Sequence, residues 1–413
     1  MIRKGNDLKL PIHRTATTGD NNFTAGWLTW FFFFGSVFFF MANLFAAVAV
    51  FPSYSLTIGS SPFQAGLQNT VFGVTAVLIR FYLGPVMDDR GAKPLMLLGA
   101  FTFATAPLLL LLSPSYSLLM AARIYQSLGL AVFLPGMYTL TAEMAPPGRI
   151  GTYLGALRIF FNVGLLAGPS IALLIIGSLG YYSWFVVSGL TSLLTLALLA
   201  AVRTPANPVR AAKKTSSLRQ VLEALTVKQI YPIIGGIALF AFTYSAVVSF
   251  AAVHIEEAAP DMEAAYFFVA FGTAGITACL GVGALSDRFG RQQVAWPMMI
   301  ILGIGAALFY CLPVWPGLVI VCAVILGIGI QGSSLVFAAW LIEISRPHLR
   351  TTTISLQENS IDIFFALGAM AFGLAAQGPG LGSAFLAAGI VTIIAVLPLR
   401  KLSAYLIDND INH

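Results

Sequence analysis

Three ionisable residues lie inside apolar stretches of the chain and could exchange protons there. Arg80 lies eight residues before Asp88, and Glu358 lies eight residues after Arg350. A helical rise of 1.5 Å per residue places both about 12 Å from the same edge of a membrane. Asp362 follows Glu358 by one helical turn on the same face. The three side chains indicate either an ion pair that switches during a proton cycle or a static pair that offsets its own desolvation.

Two further arginines lie in apolar stretches. An arginine inside a membrane span costs at least about 2.5 kcal/mol on insertion scales, so it normally faces protein or water and has a partner. Arg123 begins the segment Arg123-Ile124-Tyr125-Gln126-Ser127. Arg158 has no obvious partner in the sequence, which makes it a candidate anion contact or a second gate charge.

Small residues recur in the stretch that follows Arg149. Gly155 is followed after eight residues by Gly164, after three more by Gly168-Pro169, and after two more by Ala172. Glycines allow two helices to approach closely, and a proline removes one backbone donor. This segment can therefore bend and pack tightly against a neighbour.

Membrane-spanning helices must position these residues. Hydrophobic residues make up 58% of the chain and charged residues only 9%, whereas soluble domains average about 25% charged residues. About 20 apolar residues are needed for each crossing. We predict an all-α membrane protein whose twelve spans lie near residues 26–50, 64–87, 94–113, 117–141, 151–176, 182–202, 232–254, 264–286, 293–312, 317–343, 353–377 and 382–402.

Basic residues are confined to alternate loops, the termini and the spans. The intervening loops, such as 113–117, 177–183 and 377–383, carry no Lys or Arg. Because positively charged loops stay in the cytoplasm, we predict that both termini are cytoplasmic.

Other features exclude several classes of protein. The net charge of +6 arises largely from orientation signals and does not indicate nucleic-acid binding. Three cysteines, in or beside the spans, imply no disulfide or metal framework. The chain contains no Gly-x4-Gly-Lys-Ser/Thr loop for ATP and no His-Glu-x-x-His or Gly-x-Ser-x-Gly motif. We expect no enzyme activity, no cofactor and no metal.

A long-range repeat divides the chain. Gly84 to Gly91, with Asp88, recurs as Gly283 to Gly290, with Asp287, at an offset of 199 residues. Such a repeat predicts two pseudo-symmetric six-helix bundles with a substrate path between them. The predicted boundaries are a cytoplasmic tail at 1–24, bundles at 25–202 and 231–404, a cytoplasmic linker with an amphipathic helix at 203–230, and a second tail at 405–413.

These motifs resemble those of the major facilitator superfamily, and the resemblance covers all twelve spans. The loop after span two normally reads Gly-x-x-x-Asp-Arg-x-Gly-Arg-Lys in that family. Gly84, Asp88, Gly91 and Lys93 match this pattern while Asp89 and Ala92 depart from it, and the copy around Asp287 is closer. The segment from Arg123 resembles Arg-x-x-Gln-Gly-x-Gly-x-Ala, with Ser127 replacing a glycine. Gly155, Gly164, Gly168 and Pro169 resemble the antiporter motif, although Ala172-Leu173 replaces its final glycine pair.

The resemblance implies roles for these residues. Asp88 would meet the positive N-terminal end of span eleven and act as a latch when the cytoplasmic side is closed. Spans two and eleven are neighbours in this fold, so Arg80 could pair with Glu358 or Asp362 in that state. In the family, the arginine at position 123 is associated with proton coupling. Asn43, Gln126, Tyr244 and Gln331 lie on the four helices that line the family's cavity.

The expected function is therefore proton-coupled export of a small amphipathic or organic compound by alternating access. An importer of an organic anion or zwitterion is the alternative, since arginines outnumber carboxylates inside the spans. A non-transporting membrane receptor is a further alternative, although the chain has no large soluble insertion. We expect a monomer in a bacterial inner membrane, with protons, lipid and a small-molecule substrate as partners.

Overall fold

The computed structural model describes residues 25–146, 149–204, 218–346 and 349–411. The described residues form α-helices, with one short 3-10 helix at Phe309–Cys311. The helices are α1 Trp27–Thr57, α2 Pro62–Arg90, α3 Ala92–Leu109, α4 Tyr116–Met144, α5 Ile150–Ala201, α6 Leu218–Leu225, α7 Ile230–Ala258, α8 Ala264–Phe289, α9 Arg291–Leu308, α10 Leu318–Ile344, α11 Arg350–Gln377 and α12 Leu381–Ile411.

The twelve predicted spans are confirmed, although two of them form one helix. Helix α5 has 52 residues, about 78 Å at 1.5 Å per residue, which is more than twice the thickness of the hydrocarbon layer. Gly180 interrupts it with a φ of 80° and a ψ of 173°. A residue with a side chain rarely adopts this φ. The chain therefore reverses at Gly180, and α5 supplies spans five and six.

Helix α2 differs in composition from the other long helices. Ten helices of the described chain are long and apolar enough to cross a membrane, and α2 is not among them. It carries Gln68 and Asn69, which are buried, and Arg80, which is half-buried. These polar side chains pack against protein, so α2 can cross a membrane without exposing them to lipid.

Positive-φ glycines repeat in the two parts of the chain. Gly91, which ends α2, has a φ of 84°, and Gly290, which ends α8, has a φ of 91°. Gly180 and Gly380, which lie 200 positions apart, have φ values of 80° and 85°. The chain thus makes the same turn at corresponding positions, in agreement with the sequence repeat.

Among the described residues, three helix pairs make the main contacts between the part before residue 204 and the part after residue 218. Helix α2 packs on α11, α5 on α8 and α1 on α7. We call the end of the molecule that holds Arg90, Arg149, Arg291 and Arg346 the basic side. A Cβ atom on Gly66 of α2 would clash with the carbonyl oxygen of Ala369 in α11, so these helices touch closely near the opposite side.

The segment between the two parts contains the short helix α6, inside the predicted linker. Residues 205–217 and the predicted tail at 1–24 lie outside the described residues. Glu223 of α6 accepts a hydrogen bond from Arg346 at 3.5 Å. At the other end of the chain, α12 continues to Ile411 and so includes most of the predicted tail at 405–413.

Membrane orientation can be tested with two exposed positions. We expect a cysteine at Ser113, in a cysteine-free variant in intact cells, to react with an impermeant maleimide, because the loop after α3 carries no basic residue. A cysteine at Gln293, beside the basic loop after α8, should react only after the membrane is permeabilised. Both residues are exposed, so burial does not account for a difference. The opposite labelling pattern would overturn the predicted topology.

Candidate functional site

An ion pair connects α2 and α11 across the interface between the two parts. Arg80 donates a hydrogen bond from Nη1 to Oδ2 of Asp362 at 2.8 Å and a longer one to Oδ1 of Asn359 at 3.4 Å. The side chains of Arg80 and Asp362 are 21% and 24% exposed. The pair is therefore largely buried at the interface.

Glu358 and Arg158 extend this pair into a larger charged cluster. Glu358 lies one turn before Asp362 and interacts electrostatically with Arg158, Asp362 and Arg80. Arg158 of α5 donates to the hydroxyl of Tyr138 in α4 at 3.2 Å and weakly to that of Ser334 in α10 at 3.5 Å. Two cations and two carboxylates thus share one region on three helices of the interface, α2, α5 and α11.

Arg123 lies apart from this cluster, in a buried network of neutral partners. Its guanidinium donates to Oε1 of Gln126 and Oδ1 of Asn69, each at 2.7 Å, and lies 3.8 Å from the ring centroid of Phe72. Asn69 in turn donates to the hydroxyl of Ser249 in α7 at 3.0 Å. The network joins the two parts of the chain, and Arg123 is fully buried within it.

A cavity of about 210 Å³ opens beside Arg158. It lies between α5, α8 and α10 and is lined by Gly155, Arg158, Ile159, Asn162, Cys279, Gln331, Ser334 and Leu335. Two of the predicted cavity residues, Arg158 and Gln331, therefore line the same space.

The other predicted cavity residues have different surroundings. Asn43 donates to Thr191 at 2.8 Å and accepts from Ser188 at 2.8 Å, so it joins α1 to the last part of α5. It lines a separate cavity of about 90 Å³. Gln126 accepts the hydrogen bond from Arg123. The ring of Tyr244 stacks on Phe240, with centroids 5.7 Å apart.

The loop motif around Asp88 recurs around Asp287, and the structure describes the aspartate side chain of this second copy. Asp287 forms an ion pair with Arg291 at 2.5 Å, and Arg291 also contacts Glu343 at 3.3 Å. The Asp287 side chain is 67% exposed, so this pair adds little to stability. The side chain of Asp88, the predicted latch, lies outside the described residues.

The spacing of α5 and α8 bears on the state in which Arg80 pairs with Asp362. We expected Arg80 to pair when the basic side is closed. Near the opposite side, α5 meets α8, where a Cβ on Gly272 would clash with Leu166. Toward the basic side, a Cβ on Gly155 or Gly281 would meet no described atom within 4 Å. The pairing of Arg80 with Asp362 is observed, and its dependence on closure of the basic side stays a prediction.

Sequence reasoning missed several residues of the site. Tyr138, Ser334 and Asn69 carry no local signal, because hydroxyl and amide side chains are common inside bundles. The repeat could have found two others. Asn162 lies 200 positions before Asp362, and Cys279 lies 199 positions after Arg80.

Known proteins share the sequence pattern and the fold of this chain. The profile of the Major Facilitator Superfamily matches residues 32–315 and again residues 280–409. The chain belongs to the major facilitator superfamily. It is therefore a multi-pass membrane transporter and not an enzyme.

Two curated relatives of the chain are named for different activities. The quinolone resistance protein NorA of Staphylococcus aureus is 22% identical over 141 residues, 34% of this chain and 36% of its own length. The 4-hydroxybenzoate transporter PcaK of Pseudomonas aeruginosa is 26% identical over 170 residues, 40% of this chain and 36% of its own length. The chain thus matches about a third of the length of each relative.

Two solved structures share the fold over nearly their whole length. The nucleoside transporter NupG superposes with a TM-score of 0.73 at 13% identity, covering 91% of this chain and 98% of NupG. A bacterial homologue of the human lysosomal transporter Spinster, solved in an inward-facing and unoccupied conformation, gives a TM-score of 0.71 at 15% identity. That match covers 92% of this chain and 96% of the homologue.

The glycine pattern of α5 has a clear packing partner. A Cβ on Gly168 would clash with the carbonyl oxygen of Ala42 in α1, and one on Gly164 would crowd Met41. Gly155 lies at the cavity instead, and Pro169 lies inside α5. The pattern therefore brings α5 close to α1 at two of its three glycines.

We expect Gly168→Ala to destabilise the protein by about 1 to 3 kcal/mol, the usual cost of overpacking. Gly155→Ala is the matched control, because its new methyl group would enter open space. Thermal unfolding in detergent compares the two variants. Equal unfolding midpoints would contradict the packing role of Gly168.

Proposed function

We propose that this transporter is a proton-coupled exporter of a small amphipathic organic compound, in which Asp362 and Glu358 exchange the proton. The contact of Arg80 with Asp362 carries the proposal. An ion pair inside a membrane is stable only while both partners are charged. Proton binding by Asp362 cancels the attraction and releases α2 from α11 at this depth.

The resemblance of the α5 glycine pattern to the antiporter motif and the similarity to the quinolone resistance protein NorA support export. Export against a proton gradient requires that proton and substrate load from opposite sides. The proposed cycle achieves this if substrate enters from the basic side while Arg80 and Asp362 are paired. Protonation of Asp362 from the opposite side then accompanies the return step. The basic side and both termini are cytoplasmic in this proposal, the membrane is a bacterial inner membrane, and the transporter works as a monomer.

Import of an organic anion is the second candidate, and Arg158 favours it. This arginine lines the cavity next to neutral hydrogen-bonding groups. Similarity to the 4-hydroxybenzoate transporter PcaK supports the same candidate. The two candidates differ in the pH gradient that drives uptake into vesicles.

Proteoliposomes distinguish these candidates with ethidium as a cationic probe and benzenesulfonate as an anionic probe. Export by antiport predicts that an acidic lumen drives uptake, because protons leave as the probe enters. Import by symport predicts that an acidic exterior drives uptake. Uptake of neither probe in either gradient, relative to protein-free liposomes, would count against both candidates.

Asp362→Asn is expected to lower gradient-driven accumulation of the transported probe to the value without a gradient. Exchange of labelled for unlabelled probe should continue, because the amide is uncharged like a protonated carboxylate but cannot take up or release a proton. Asp261→Asn is the matched control, since that carboxylate is exposed in the turn between α7 and α8 and lies outside the cluster. Accumulation by Asp362→Asn that equals that of the unmodified protein would show that the pair is structural.

A further inference from the structure

Arg158 differs from Arg80 in the partners that neutralise its charge. Arg80 contacts a carboxylate at 2.8 Å. No carboxylate oxygen of the described residues lies within 4.0 Å of Arg158, whose hydrogen bonds go to the hydroxyls of Tyr138 and Ser334. Glu358 acts on it only at longer range. A cation inside a membrane bundle normally has a closer counter-charge.

The sequence repeat indicates why Arg158 has no carboxylate directly beside it. Arg158 of α5 and Glu358 of α11 lie 200 positions apart, and so do Asn162 and Asp362. Arg80 of α2 corresponds in the same way to Cys279 of α8, at an offset of 199. The interface of α2 with α11 therefore contains its own ion pair. The corresponding interface of α5 with α8 has two neutral groups and the 210 Å³ cavity.

The cavity offers several neutral hydrogen-bonding groups around the guanidinium. Asn162 and Gln331 provide amides, and Ser334 provides a hydroxyl. Ile159 and Leu335 form apolar walls. Ligand sites combine such walls with a few polar groups that fix orientation. The planar fork of an arginine matches the two oxygens of a carboxylate.

We propose that this cavity is a binding subsite for the carboxylate end of the transported organic compound, with Arg158 as its counter-charge. The assignment rests on the proposed function only in requiring that substrate passes between the two bundles, and it applies to either direction. A single arginine balances one negative charge. A phosphate dianion would leave a charge unmatched near Glu358, so a monoanion fits the site better.

Cys279 provides a reporter inside the cavity. It is partly exposed, whereas Cys322 is fully buried, and Cys311 lies in the short 3-10 helix at the opposite side. In a Cys311→Ser variant in detergent, Cys279 should be the cysteine that reacts with N-ethylmaleimide. We expect saturating benzoate to slow this reaction at least about threefold. Benzamide, which has the same shape without the charge, should leave the rate unchanged.

Variants connect this protection to Arg158. Arg158→Gln should abolish protection by benzoate, and Ser334→Ala should weaken it while keeping the charge. Should Arg158→Gln fail to fold, loss of protection in Ser334→Ala together with Gln331→Leu carries the test. Cys311 in a Cys279→Ser variant is the matched control, and benzoate should not change its labelling rate.

Three results would overturn the subsite. These are equal protection by benzamide, protection by inorganic phosphate but not by benzoate, and full protection by benzoate in Arg158→Gln. Failure of proton coupling with protection intact would count against the proposed coupling and leave the subsite standing. Proton-driven transport without protection of Cys279 would count against the subsite alone.

Discussion

The cost of holding charge inside a membrane governs the interior of this protein. A buried cation needs an opposite charge or several hydrogen bonds, because its hydration is lost. Arg80 meets this need through Asp362, which lies on the other side of the interface. The close packing of α2 on α11 brings the two side chains within hydrogen-bonding distance. The stability of the interface and its response to protons therefore depend on the same two side chains.

The other two arginines in the spans meet the same cost in different ways. Arg123 has amide partners and an aromatic face, and it is fully buried. Amide and aromatic groups do not take up protons near neutral pH, so these contacts do not depend on a proton as the pair of Arg80 with Asp362 does. Arg158 has hydroxyl partners and open space beside it. Arg80 is thus paired with a carboxylate that can take up a proton, and Arg123 is surrounded by neutral groups. Arg158 is the arginine that we propose to bind a ligand.

The sequence predicted the fold well because charge and hydropathy act locally. Apolar length defined the spans, and the repeat around Asp88 and Asp287 defined the pseudo-symmetry. We predicted a loop at 177–183 between spans five and six, whereas α5 is helical through this stretch except at Gly180. The functional site was harder to predict from the sequence than the fold. Depth matching indicated Arg80 and Asp362, but the rotation of each helix, which separates Asn43 from Gln331, depends on packing between distant residues.

The distance between α2 and α11 tests most directly whether a proton on Asp362 releases the pair. Spin labels can replace Tyr82 and Ile363, which are exposed near the pair, and pulsed electron resonance in lipid nanodiscs measures their separation. We predict one distance population at alkaline pH and a second, longer one at acidic pH. Asp362→Asn should show the longer population at both. A single distribution that is independent of pH and unchanged in Asp362→Asn would contradict the account.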